Sequence, residues 1–248
     1  MSAGAIETAR LLILSGLGND WVGRNHHTHG VAVAVAADGP DVNPFVGPGH
    51  SISTLDHLHR NGAPWGGGVL FDLNADYPLM KAQWGLRIAS EPFGHAHKCW
   101  MRDHPNLVGA LSMVQEVPHV LSDVRVSGAV KDRHGLPVPL LRGRPHPATA
   151  EATAFMLGKA RQWVEEVGGS NVIELMIPGG VPGAEHSAGT ARLGEDPRSS
   201  ACDPTGRLHG TTNVYVADAS LHPTNGGMNP GLTVMANAMR VARLMADG

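Results

Sequence analysis

One residue in five of this chain is glycine or proline, 32 and 18 respectively in 248. That share stays below the ~25–30% of a low-complexity chain. It is still high enough to cut the sequence into short elements joined by many turns. Apolar residues at 42% and charged residues at 17% describe a globular chain rather than a disordered one. The length predicts one to two domains. A formal net charge of −3, with no basic excess and no acidic tail, argues against a nucleic-acid partner. The longest wholly apolar run of the first half, Val31 to Ala37, is far short of the ~20 residues of a membrane helix, so no membrane span is expected. No basic stretch follows Met1, so the sequence reads as lacking a secretory signal and predicts a cytoplasmic protein. Cys99 and Cys202 cannot form a disulfide framework and read as reduced thiols.

Periodicity predicts a mixed α/β (α+β) chain. The segment from Gly4 to Gly18 reads as a short helix of good helix formers that stops at Ser15-Gly16. Val31 to Ala36 alternates valine and alanine as a buried strand does. Residues 38–68, rich in Gly, Pro, His and Asn, read as a long loop. Strands are predicted over 68–74, 110–117, 123–130 and 213–217. The clearest helix covers 148–167, with Ala152, Phe155, Met156, Ala160, Trp163, Val164 and Val167 on one face, Pro147 at its start and Gly168-Gly169 at its end. A last helix follows Asn229-Pro230, with an apolar stripe of Leu232, Met235, Met239, Ala242 and Ala246. No internal repeat is present.

Residues 185–234 hold the densest set of unusual features. Asn229 before Pro230 is a helix start, because Asn caps well and Pro fits the first helical position. Gly226-Gly227 lets a ligand approach the backbone. Free N–H groups at a helix N-terminus stabilise negative charge, so this corner suits an anion or a cofactor that carries negative charge when reduced. The histidines invite a metal reading: His26-His27 with His29, His57 with His59, His95 with His97. None of these spacings matches a zinc pattern. We read most of them as polar loop residues and predict no metal site.

Five blocks of this region resemble, in order, the closing segment of the glucose–methanol–choline (GMC) flavoprotein oxidoreductases. They are His186 to Thr190 (H-x-x-G-T), Arg192 to Gly194 with Asp196-Pro197, Asn213 to Ser220, Pro223-Thr224, and Asn229 to Thr233 (N-P-x-L-T). Gly4 to Gly18 resembles the family's second signature, and Val22 to Asn25 with His29 the block after it. Val124 to Pro139 is similar to a strand pair of the family's substrate domain, whereas residues 38–110 carry little of the likeness.

The resemblance implies an FAD-dependent enzyme that oxidises the CH–OH group of a small alcohol or sugar. His186 would be the catalytic base, since a neutral imidazole can accept a hydroxyl proton at physiological pH. Asn229 would hydrogen-bond the same oxygen, and hydride would pass to the flavin. The competing reading of Asn229 is a plain helix cap. Cofactor contacts would come from Gly4, Ala5, Ile6, Asp218, Ala219, Asn229, Pro230, Gly231, Leu232 and Thr233. For Asp218 the competing reading is a turn residue bonding its own backbone. His29 would help hold two domains together.

The implied domains are a discontinuous remnant of an FAD-binding domain, 1–30 with 181–248, and a substrate domain, 31–180, with a largely antiparallel sheet. Ala9, Leu193 and Ala219 stand where the family usually has Pro, Met and Gly. No G-x-G-x-x-G turn of the kind that holds a dinucleotide pyrophosphate occurs near the N-terminus. The chain therefore reads as the C-terminal part of a longer enzyme whose N-terminal FAD-binding half is the expected partner. Leu11, Leu12, Val214 and Val216 are then expected to be exposed. The alternatives are a non-catalytic GMC-like remnant without its own flavin, and a metal hydrolase built on the histidines.

Overall fold

The computed structural model describes residues 1–73, 78–87, 93–181 and 185–247. The chain has a mixed α/β fold and divides into two compact units: 1–29 with 115–149 and 179–248, and 30–114 with 150–178. Among the described residues no helix is long and apolar enough to cross a membrane.

The unit built on residues 30–114 and 150–178 centres on a five-stranded sheet in the order β2-β3-β4-β1-β7. Its strands are β1 (His29–Ala36), β2 (Ser53–Thr54), β3 (Gly68–Asp72), β4 (Val108–Gln115) and β7 (Ile173–Ile177). The pairs β2–β3, β3–β4 and β1–β7 are antiparallel. The alternation in β1 separates two faces, as a period of two requires. Ala32, Ala34 and Ala36 face one apolar cluster, Val33 and Val35 the other. The small alanines let helix α4 (Pro147–Glu166) lie close against the sheet. Ala152, Met156, Ala160 and Val164 of α4 are fully buried there, and Phe155 and Trp163 pack at the edge. Val167 is exposed just past the helix end. Gly168, at φ +107°, turns the chain out of the helix, and a Cβ on Gly169 would press Ala36 at 2.7 Å.

Helices α2 (Pro78–Arg87) and α3 (Gly94–Arg102) are additions to the elements read from sequence, as are β2 and β7. β2 lies inside the expected loop, and Asn74 of the strand read over 68–74 is outside the described residues. The two helices meet through Trp100, whose indole N–H donates to the Lys81 carbonyl at 2.8 Å. The Lys81 ammonium sits 5.0 Å from the Trp100 ring centre, fully buried and without a hydrogen-bond partner among the described residues. A desolvated, unpaired ammonium is disfavoured. Burial pushes the Lys81 amine down to about 8, against an opposing pull from the Asp103 carboxylate.

The other unit joins both ends of the chain. Helix α1 (Gly4–Leu14) packs on the antiparallel hairpin β5 (Asp123–Lys131) and β6 (Pro137–Arg142). Arg10 of α1 ties the hairpin tip, donating to the Pro137 carbonyl at 2.8 Å and pairing with Asp132 at 2.6 Å. That arginine holds the Asp132 carboxyl down to about 2. Gly23 accepts the Val124 N–H at 2.7 Å, so close that a Cβ on Gly23 would strike the Val124 carbonyl. These bonds put residues 115–149 with the chain ends, whereas the sequence reading groups them with the middle segment. The unit's core consists of Leu12, Ala191, Ala201, Cys202, Leu208, Val216, Leu221 and Val241.

Three readings of this unit change. Residues 213–217 form only one isolated bridge, Arg207↔Tyr215, because the segment beside them is a run of turns and pairing cannot propagate. Leu12 and Val216 are buried in the core rather than exposed, and of the four residues named only Leu11 is exposed. Helix α5 (Gly231–Asp247) forms as expected, but its apolar stripe faces outward, with Leu232 78%, Met235 60% and Met239 59% exposed.

The Lys81 amine loses its proton more readily folded, near 8, than at its ordinary 10.5. Between those values the unfolded chain binds more protons, so stability rises with pH across that window. Thermal melts should show the melting temperature of wild type gaining on that of Lys81→Met as pH goes from 7 to 10. A constant gap between the two would contradict the burial.

Candidate active site

The site takes shape where three strips of backbone from the end-joining unit lie side by side. Residues 26–28 pair with the H-x-x-G-T block through reciprocal His27 and Ala188 amide bonds of 3.1 and 2.9 Å. On its other side the block bonds to the short 3-10 turn Ala219–Leu221. Gly189, Ala191 and Leu193 N–H groups donate to the carbonyls of Ala219, Ser220 and Leu221 at 2.9–3.1 Å. Gly189 sits at φ +91°, and a Cβ there would collide with the Asn25 carbonyl and the His27 ring. Glycine is needed here both for the backbone conformation and for the space.

Asp218 is the knot of the site. One carboxylate oxygen accepts the Gly4 N–H at 3.0 Å and the Thr8 hydroxyl at 2.6 Å. The other accepts the Ser220 N–H at 2.8 Å and the Ser220 hydroxyl at 2.5 Å. It is thus a turn residue bonding its own backbone and also the acceptor for the start of α1. Ala5 is buried, and its carbonyl accepts the Thr190 hydroxyl at 2.5 Å. Ile6 and Ala219 are half-buried, and Gly4 is exposed. Gly4, Ala5, Asp218 and Ala219 therefore come together with the H-x-x-G-T block.

His186 is half-buried at the end of that block. Its backbone carbonyl is held by the Asn225 side-chain amide, and its ring meets the His29 ring edge-on, with centroids 5.1 Å apart. Asn225 is buried, and its oxygen lies 3.5 Å from His222 Nδ1. Asn229 is exposed, Pro230 is buried, and Gly231, Leu232 and Thr233 open α5 on the surface. Among the described residues His186 and Asn229 make no hydrogen bond or ring contact with each other. The first turn of α5 carries no acidic residue, and a Cβ on Gly226 or Gly231 would meet nothing within 4 Å.

Several residues here were read as polar loop residues or not singled out. His26, His27 and His29 are buried, not solvated. His27 Nδ1 donates to the Asn25 carbonyl at 2.8 Å, and burial pushes its imidazole down to about 3. His26 lies 3.1 Å from the Ser187 hydroxyl, and burial pushes it down to about 4. Both rings are neutral at physiological pH, so they pack as polar spacers instead of adding charge beside His186. Burial also pushes the Glu116 carboxyl up. It accepts the Thr28 N–H and the Gly180 N–H, each at 2.8 Å, which fixes the strip before His29. Asn225 lay inside the P-T-N-G-G run, where a side-chain amide before paired glycines was the available signal. Among the described residues no three His, Cys, Asp or Glu side chains are grouped to hold a metal ion.

Residues 118–238 match the family profile described as GMC oxidoreductase. The chain is 30% identical to paromamine 6'-oxidase of Streptomyces fradiae, covering 99% of this chain and 44% of that protein. It is 27% identical to 6'''-hydroxyparomomycin C oxidase of Streptomyces lividus, covering 100% of this chain and 44% of that one. Among solved structures, pyridoxine 4-oxidase from Mesorbium loti superposes with a TM-score of 0.64 at 19% identity, covering all of this chain and 51% of that one. Residues 118–238 belong to the GMC oxidoreductases by that match, and the chain as a whole is similar to the C-terminal portion of such enzymes. It spans under half the length of these two curated relatives.

Because Gly189 is enclosed by Asn25 and His27, Gly189→Ala should destabilise the chain by at least ~2 kcal/mol. Denaturant unfolding checks this. A change under ~0.5 kcal/mol would show that the block is not clamped as described.

Proposed function

We propose that this chain supplies the proton-handling half of an FAD-dependent oxidoreductase that acts on the CH–OH group of a small alcohol or sugar. The observation that carries the reading is the clamp on His186. A backbone carbonyl held by Asn225 and a ring set against His29 fix one imidazole at the end of a glycine-dependent turn. The names of the relatives, paromamine 6'-oxidase and 5-(hydroxymethyl)furfural oxidase among them, support an alcohol substrate.

The residues fit the cofactor at one place and not at another. The open start of α5, with free space at Gly231 and no carboxylate in its first turn, fits a group that gains negative charge. Asp218 does not fit as a direct ligand, because both of its oxygens are occupied by internal donors. Its contribution would be to hold Gly4, Ala5 and Ala219 in position. When bound, FAD would supply the hydride acceptor. His186 would take the hydroxyl proton of the substrate through its imidazole. Asn229 would hydrogen-bond the same oxygen as it gains alkoxide character.

The outward apolar stripe of α5 supports a covering polypeptide. Three large side chains at least 59% exposed along one helix face form a patch that a working protein covers. The occupant we propose is the rest of a longer polypeptide, since this chain spans under half the length of its two curated relatives.

In the complete gene product, His186→Ala should lower turnover of its alcohol substrate by ~10²–10⁴-fold while leaving flavin content unchanged. Single-turnover flavin bleaching separates the two effects. Undiminished turnover would remove His186 from the mechanism, and loss of flavin with it would make His186 a folding residue instead.

A further inference from the structure

A cavity of about 360 Å³ in the end-joining unit lies outside the proposed chemistry, lined by Trp21, Asn25, His119, His146 and Arg192 among others. This is at the small end of the ~300–1,000 Å³ range of small-molecule sites. We infer that it binds a compact oxyanion group, a phosphate or a carboxylate, through Arg192 and the two imidazole N–H groups.

The donors are set by the fold. Arg192 Nε and Nη2 both donate to the Ser199 carbonyl, at 2.9 and 2.6 Å, and its guanidinium stacks 4.7 Å from the Trp21 ring centre. Among the described residues Nη1 makes no hydrogen bond and the guanidinium no ion pair. Burial pushes this guanidinium down, which marks a cation short of solvent and counter-charge.

His119 Nδ1 accepts the Leu121 N–H at 3.0 Å, and His146 Nδ1 accepts the Ala148 N–H at 3.2 Å. Each ring must then carry its proton on Nε2, so each offers a donor whatever its charge. The two rings stand 6.2 Å apart. None of the lining residues is acidic. A cavity walled by one unpaired cation and several donors, with no carboxylate, selects an anion.

Two variants isolate the site. Arg192→Met keeps the unbranched stem beside Trp21 and removes the guanidinium. His119→Asn keeps an acceptor for the Leu121 N–H and removes the imidazole donor. The 248-residue chain and both variants are titrated with inorganic phosphate and with acetate, in chloride at matched ionic strength, by calorimetry and by Trp fluorescence. We expect saturable binding of one of the two probes, weakened about tenfold or more in each folded variant, since hydrogen bonds to charged groups are strong enough for that. The preferred probe identifies the head group. Binding no stronger than chloride's, or variants that bind as the parent does, would overturn the inference.

Discussion

The buried carboxylate of Asp218 is the interaction on which this chain's architecture depends. It accepts the Gly4 N–H and the Thr8 hydroxyl from residues 214 and 210 positions away, and it caps its own turn through Ser220. Four donors converging on one buried acid form a network in which each bond relies on the others. Without it the start of α1 would lack its acceptor, because Ala3 offers no side-chain cap. The Ser220 turn in turn supplies the carbonyls that hold Ala191 and, through its neighbours, Gly189 and Leu193. His186 stands at the end of that strip. A single acid thus relates the first helix, the turn after residue 218 and the proposed base.

Space is the second constraint. Gly189 and Gly23 let backbone strips approach to distances that no Cβ would allow. The histidines packed into that space remain neutral because burial disfavours their charged form. The electrostatics are correspondingly uneven. His26 and His27 add no charge near His186, while Arg24 and Arg192 gather around Trp21. Buried imidazoles without charge thus pack beside His186, whereas two guanidinium groups meet one indole.

Much of this was legible in the sequence where local rules and motif order agree. The stripe of α4, the alternation of β1, the start of α5 just after Asn229-Pro230 and the five ordered blocks all stand on short-range patterns that chain geometry enforces. What was not legible depends on long-range partners. His26 and His27 have the composition of loop residues, and only the return of residues 187 and 188 buries them. Asp218 reads as a turn residue or a ligand, but its bond to Gly4 cannot be seen from either segment alone. Residues 213–217 alternate like a strand, yet strand formation needs a regular neighbour, and theirs is a series of turns. The stripe of α5 was correctly identified, but a periodic pattern does not reveal whether anything covers it.

Hydrogen exchange by NMR on the wild-type chain and on Asp218→Ala tests the central claim most directly. The account predicts that the Gly4 and Ser220 amides are protected in the wild type. In the variant they should lose that protection together with Gly189 and Ala191, while the amides of Ala32 to Val35 in the five-stranded sheet keep theirs. If Gly189 and Ala191 stay protected without the Asp218 carboxylate, the strip that carries His186 is held by something else and the account is wrong.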